Sequence, residues 1–280
     1  MDKRAIHFKP VQGGYTAAQR VMAYFSDGFS AFVKVGTTEL TSRWLRQEHD
    51  LYESLSASFM PAYLGWHDDE AHPILLLEDL SHAFWPPPWS EKRVQQVLET
   101  LEVVSKYAMA VPPLVERGAD LMNGWSQVAK DPQPFLSLAL VSESWLELAL
   151  PILLQNENSE ALKGDSLLHL DVRSDNICFV DDRVILIDWD GASYGNPLVD
   201  IAAWLPSLHS EGGPPPEHIL PNAPELATLM SGFFACKAGL PSLPDAPYVR
   251  DVQKRQLNSA LPWVIRALGL PPADGKLIGD

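Results

Sequence analysis

Residues able to do chemistry are densest between positions 167 and 205, where His169, Asp171, Asn176, Asp188 and Asp190 fall within one short stretch. Two apolar runs, 176–180 and 184–187, flank Asp181, Asp182 and Arg183, an alternation of strand and turn residues that predicts a tight β-hairpin. His169, Asp171 and Asn176 precede the first strand, and Asp188 and Asp190 follow the second. Pairing the strands brings several oxygen ligands to one end, which suits a hard cation such as Mg²⁺.

The spacing is more specific than the clustering. His169, Asp171 and Asn176 fit H-x-D-x-x-x-x-N, the pattern of a phosphoryl-transfer catalytic loop, and Ile187-Asp188-Trp189-Asp190 stands where kinases carry their metal-binding D-F-G. On these residues the stretch resembles the aminoglycoside phosphotransferase and choline kinase group of small-molecule kinases, whose members carry H-G-D-x-x-x-x-N followed by I-D-[WF]-[DE]. Leu170 stands where the group has Gly, a departure expected to affect loop packing more than chemistry.

The resemblance implies a role for each matching position. Asp171 would orient the acceptor hydroxyl and take its proton, Asn176 and Asp188 would hold Mg²⁺, and His169 would brace the loop from inside. Asp200 would support the loop from the next helix. Phosphoryl transfer asks mainly for alignment and charge neutralisation, so one carboxylate near the nucleophile and two oxygen ligands on the metal suffice. Asp175, Asp190 and Arg173 read as solvated or loop-bracing residues. Asp and Asn at hairpin mouths also serve as plain turn formers, so the weight rests on two motifs occurring in the right order.

Upstream, β-rich runs at 21–25 and 29–35 are joined by Ser26-Asp27-Gly28, a strong hairpin signal. Before them, Gly13 and Gly14 could lay backbone N–H groups against phosphates, with Thr16 adding a hydroxyl. Lys34 interrupts an apolar run and would be costly to bury without an anion. The resemblance places Lys34 on the nucleotide phosphates, held by a helix glutamate. Glu48, in the helical segment 39–56 with Trp44, Leu51 and Leu55 on its apolar face, is the best candidate beside Glu39 and Glu53. The strand at 74–80 ends in Glu78, Asp79 and Leu80. There the resemblance puts a hinge meeting the nucleotide, with Glu78 and Leu80 as contact positions.

Beyond residue 80 the pattern turns helical, with apolar stripes at 90–110, 135–154 and 248–268 and loop tryptophans at 85, 89, 125 and 145. The chain has 280 residues, 46% of them hydrophobic and 20% charged, with two cysteines and a formal net charge of −15. That composition suits a globular protein without a disulfide scaffold, and the charge argues against binding a phosphate backbone. No apolar run reaches membrane-span length, and a cytoplasmic location is expected. The acidic surplus is greater beyond residue 80. It leaves room for a cationic as well as a neutral acceptor.

The expected fold is α+β and kinase-like in two lobes: a small, mostly antiparallel nucleotide lobe at 1–80, and a larger helical lobe at 81–280 carrying the catalytic loop, metal site and acceptor pocket. The expected activity is transfer of the γ-phosphoryl group of ATP, or GTP, with Mg²⁺ to a hydroxyl of a small molecule. Choline, a sugar, homoserine or a macrolide would serve as well as an aminoglycoside, since the motifs describe the donor side. A nucleotide-binding protein without turnover is the non-enzymatic alternative.

Overall fold

The structure of the protein, a computed structural model, describes residues 4–11, 17–117, 119–243, 246 and 248–276. Strands β1 (Ala5–Pro10), β2 (Gln19–Phe25) and β3 (Ser30–Val35) lead into helix α1 (Glu39–Ser54), and β4 (Tyr63–His67) and β5 (Ile74–Glu78) complete one sheet. Its order is β1-β2-β3-β5-β4, antiparallel throughout. Gly28 turns β2 into β3 at φ +84°, a backbone that glycine adopts without strain. The edge strands β1 and β4 have no fully buried position, so they show no alternation for the sequence to reveal. Thr38 caps α1 in a reciprocal pair with Thr41. The helix buries Leu45, Glu48, Leu51 and Tyr52, whereas Trp44, expected on that face, is only half-buried.

After β5 come α2 (Glu91–Val104), α3 (Leu114–Arg117), α4 (Ala119–Met122), α5 (Gly124–Lys130), α6 (Gln133–Leu136) and α7 (Glu143–Asn156). Strand β6 (Ser166–Leu168) precedes the hairpin of β7 (Ile177–Val180) and β8 (Arg183–Leu186), and β9 (Ser193–Gly195) returns to pair with β6. Helices α8 (Leu198–Ser210), α9 (Pro216–Ile219), α10 (Pro224–Ala238) and α11 (Val249–Leu268) follow.

Two of the expected helices need correction. The stripe at 90–110 ends at Val104, where Ser105 turns its hydroxyl onto the Glu102 carbonyl at 2.9 Å. The segment 135–154 is broken between α6 and α7. Ala139 sits at φ +55°, which no α-helix carries, and Ser142 opens α7 by accepting the Trp145 N–H at 3.0 Å. Trp125 and Trp145, expected in loops, are buried in α5 and α7. No helix of the described residues is long and apolar enough to cross a membrane.

Contacts divide the chain into two compact units, Met1–Pro86 with Ser174–Gly191 and Pro87–Arg173 with Ala192–Asp280. The break falls after Pro86 rather than near residue 80, and the hairpin belongs with the sheet. Four kinds of contact hold it there. Cys178 and Ile185 form an apolar cluster with Leu80, and Phe84 and Phe179 exchange backbone hydrogen bonds at 2.9 Å. Leu186 N–H donates to the Phe59 carbonyl at 2.8 Å, and Arg183 pairs with Glu78 at 2.6 Å. In the second unit α10 is apolar on nearly every face and packs against α11, α5 and α8. Trp125 anchors α5 to it by donating Nε1 to the Thr228 carbonyl at 3.1 Å.

Candidate active site

In the first unit, Lys34 projects from β3 with its Nζ 2.6 Å from Glu48 Oε2 and 2.5 Å from Asp188 Oδ1. The capped helix α1 brings Glu48 to the lysine, and the hairpin brings Asp188. Burial alone would depress the ammonium, but the two carboxylates more than offset it and hold Lys34 above its ordinary value. Burial pushes Glu48 upward against the pull of Lys34, with the Asp188 charge adding to the rise. Two carboxylates thus share one ammonium. Breaking such a buried pair typically costs about 3–5 kcal/mol, because a charge is left without its partner.

Tyr52 lies one helical turn beyond Glu48 and is 2% exposed. Burial, then the charges of Glu48 and Asp188, lift its phenol well above the ordinary value, so it stays neutral. Its hydroxyl makes no hydrogen bond among the described residues.

Asn176 and Asp188 stand at the same mouth of the hairpin, since the Ile187 N–H donates to the Asn176 carbonyl at 3.0 Å. Asp188 itself has φ +67°, a left-handed backbone that strains a non-glycine residue. Among the described residues no group of three or more His, Cys, Asp or Glu side chains is placed to hold a metal ion. Mg²⁺ asks for less than that: one or two protein oxygens, with phosphate and water completing its shell. Asn176 and Asp188 fit this demand, and the ion would supply charge neutralisation on the phosphates.

The remaining nucleotide candidates divide. Glu78 has its carboxylate engaged by Arg183 at 2.6 Å and by the Ala62 N–H at 3.0 Å, which ties β5 to the hairpin. Leu80 is buried in the apolar cluster with Cys178 and Ile185. Gly13, Gly14 and Thr16 lie outside the described residues.

In the second unit the loop after β6 is held through its backbone. Asp200, in the first turn of α8, accepts the N–H of His169 and the N–H of Leu170, each at 2.7 Å. Burial raises the Asp200 carboxyl to about 6, against the opposing pull of these two bonds. The fully buried His169 accepts the Asp171 N–H on Nδ1 at 3.2 Å, which places its own ring proton on Nε2. Leu170 has φ +67°. Its departure from the glycine of the resembling kinases therefore falls on the backbone, where a left-handed leucine costs about 1–2 kcal/mol.

Asp171 is partly exposed, and Arg173 approaches its Oδ1 to 3.1 Å with Nε. The sequence alone treated Arg173 as solvated or loop-bracing. Its +2 offset from Asp171 was the available signal, but only the turn of the loop brings the charges together. Tyr52 gave no signal, because an aromatic residue on a buried helix face reads as core.

A sheet followed by a helical remainder, with these loops, is the fold of the kinase-like phosphotransferases. The chain belongs to the phosphotransferase enzyme family, whose model matches residues 7–229. A search of curated protein sequences finds no match. Among solved structures, a choline/ethanolamine kinase family protein from Mesorhizobium loti is similar at TM-score 0.56 and 12% identity, covering 94% of this chain and 92% of that one. Macrolide 2'-phosphotransferase MphH from Brachybacterium faecium is similar at TM-score 0.52 and 13% identity, with 94% and 86% covered. Amicoumacin kinase hAmiN, solved with AMP-PNP, Ca²⁺ and Ami, is similar at TM-score 0.51 and 14% identity, with 98% and 93% covered.

Proposed function

We propose that the protein transfers the γ-phosphoryl group of ATP, or GTP, with Mg²⁺ to a hydroxyl of a small molecule, and that it works in the cytoplasm. The observation that carries this reading is the cluster of Lys34 with the buried Glu48 and the partly exposed Asp188. An ammonium held by a buried glutamate is ready to take phosphate oxygens, and a second carboxylate beside it is ready to exchange the ammonium for a metal ion. In this reading the unit of Met1–Pro86 with Ser174–Gly191 binds the nucleotide and its metal, and the unit of Pro87–Arg173 with Ala192–Asp280 supplies Asp171 and the acceptor side.

Asp171 is the base. Arg173 pairs with its carboxylate, and His169 and Asp200 fix the backbone on either side of Leu170, so the carboxylate meets the acceptor hydroxyl in one orientation. Asn176 and Asp188 hold Mg²⁺. A small-molecule acceptor is supported by the similar structures, among them a macrolide phosphotransferase, an amicoumacin kinase and a choline/ethanolamine kinase family protein.

The test is a panel of amino sugars, amino alcohols, neutral sugars and macrolides, read by coupled ADP release. The expected result is acceptor-dependent release that Asp171→Asn lowers about 10²–10⁴-fold, with nucleotide affinity near wild type. Nucleotide binding with no turnover across the panel would favour a binding protein over an enzyme. Turnover retained in Asp171→Asn would move the base elsewhere.

A further inference from the structure

We infer that Tyr52 is a positioning residue of the nucleotide-bound state, its hydroxyl serving as the donor to Glu48 once Lys34 is shared with phosphate. This rests on the reading of Lys34 as the phosphate-binding residue. Aromatic side chains on a helix lean toward its N-terminus, so a residue one turn on lies over the one before it. Tyr52 stands in that relation to Glu48 on α1. Both are buried, yet the Tyr52 hydroxyl has no hydrogen-bond partner among the described residues. An unpaired buried hydroxyl destabilises the state that holds it.

The same hydroxyl gains a use when a nucleotide arrives. Without one, the Glu48 charge is met by Lys34 at 2.6 Å. Phosphate oxygens then draw on the same ammonium, while Glu48 stays buried and its charge is less well compensated. Tyr52 is a neutral donor on the same helix that no hydrogen bond occupies among the described residues. A bond from Tyr52 Oη to Glu48 would relieve both groups and would stabilise the bound state selectively.

The experiment titrates wild type, Tyr52→Phe, Glu48→Gln and the double variant with Mg²⁺ and a non-hydrolysable ATP analogue by calorimetry, beside thermal unfolding of each nucleotide-free protein. Tyr52→Phe is expected to bind about tenfold more weakly, the scale of a hydrogen bond to a charged group. Its nucleotide-free Tm should equal or exceed that of wild type, because only an unpaired hydroxyl is removed. In the Glu48→Gln background, the same change should alter affinity by less than about twofold. Unchanged affinity of Tyr52→Phe, a lowered nucleotide-free Tm, or a full effect persisting without the Glu48 charge would each overturn the inference. A wild-type protein that binds no nucleotide would instead remove the kinase reading, and this inference with it.

Discussion

In the first unit, side chains hold side chains: Lys34, Glu48 and Asp188 are fixed by their mutual charges. In the second, one carboxylate holds backbone, with Asp200 gripping the N–H groups of His169 and Leu170. The first arrangement can be rewritten by any ligand that brings its own charges, since phosphate competes for the ammonium and a cation competes for Asp188. The second offers a ligand nothing to exchange. On the proposed reading, the part that would respond to nucleotide is built from ion pairs, and the backbone around Asp171 is set by peptide hydrogen bonds, with Arg173 beside its carboxylate.

The sharpest break of this contrast is Asp188→Ala. Turnover should vanish at any practical Mg²⁺ concentration, because the metal loses its charged ligand. Nucleotide-free stability should hold or rise, since Lys34 then faces a single carboxylate. Turnover assays beside thermal melts check both, and a large loss of Tm would mean that Asp188 is chiefly structural. Lys34→Met should do the reverse to stability and cost about 3–5 kcal/mol in denaturant titrations, leaving two carboxylates without a cation.

The backbone clamp should show itself through pH. Because the folded-state carboxyl of Asp200 is raised to about 6, the folded protein binds a proton that the unfolded chain has already lost. Its contribution to stability therefore falls as pH rises from about 4 to about 6 and levels off above, by roughly 2–3 kcal/mol. Denaturant titrations across that window, compared with Asp200→Asn, isolate the effect, and parallel curves for the two proteins would refute it. The smallest effect is that of Leu170→Gly, which should stabilise the fold by about 1 kcal/mol by removing the left-handed strain. Turnover should change little, and a lowered Tm would show that leucine packing outweighs the backbone.

The local parts of the site were legible because their signals are local. His169, Asp171, Asn176 and Asp188 lie in one motif-bearing stretch, and Lys34 stood out as a lone charge in an apolar strand. The hairpin was readable from its two strands and turn, but its membership in the sheet-bearing unit depends on Leu80, Phe84 and Phe59, far off in sequence. Helix α10 escaped because Leu226, Leu229, Met230 and Phe234 surround it with apolar surface, leaving no amphipathic period to detect. The break at Ala139 depends on a backbone conformation that alanine does not advertise.

The composition of the first unit also bears on how the chain is made. Synthesis runs from the N-terminus, and the sheet is complete with β5, but the hairpin segment of the same unit is only finished at Gly191. At about 5–20 residues per second, the intervening stretch of roughly 100 residues takes about 5–20 s to emerge. During that interval a nascent sheet has Leu80 uncovered by Cys178 and Ile185, and Lys34 has Glu48 but no Asp188. A stall anywhere between Pro86 and Gly191 would therefore expose a half-built first unit to chaperones and proteases, even though every strand of its five-stranded sheet had already been translated.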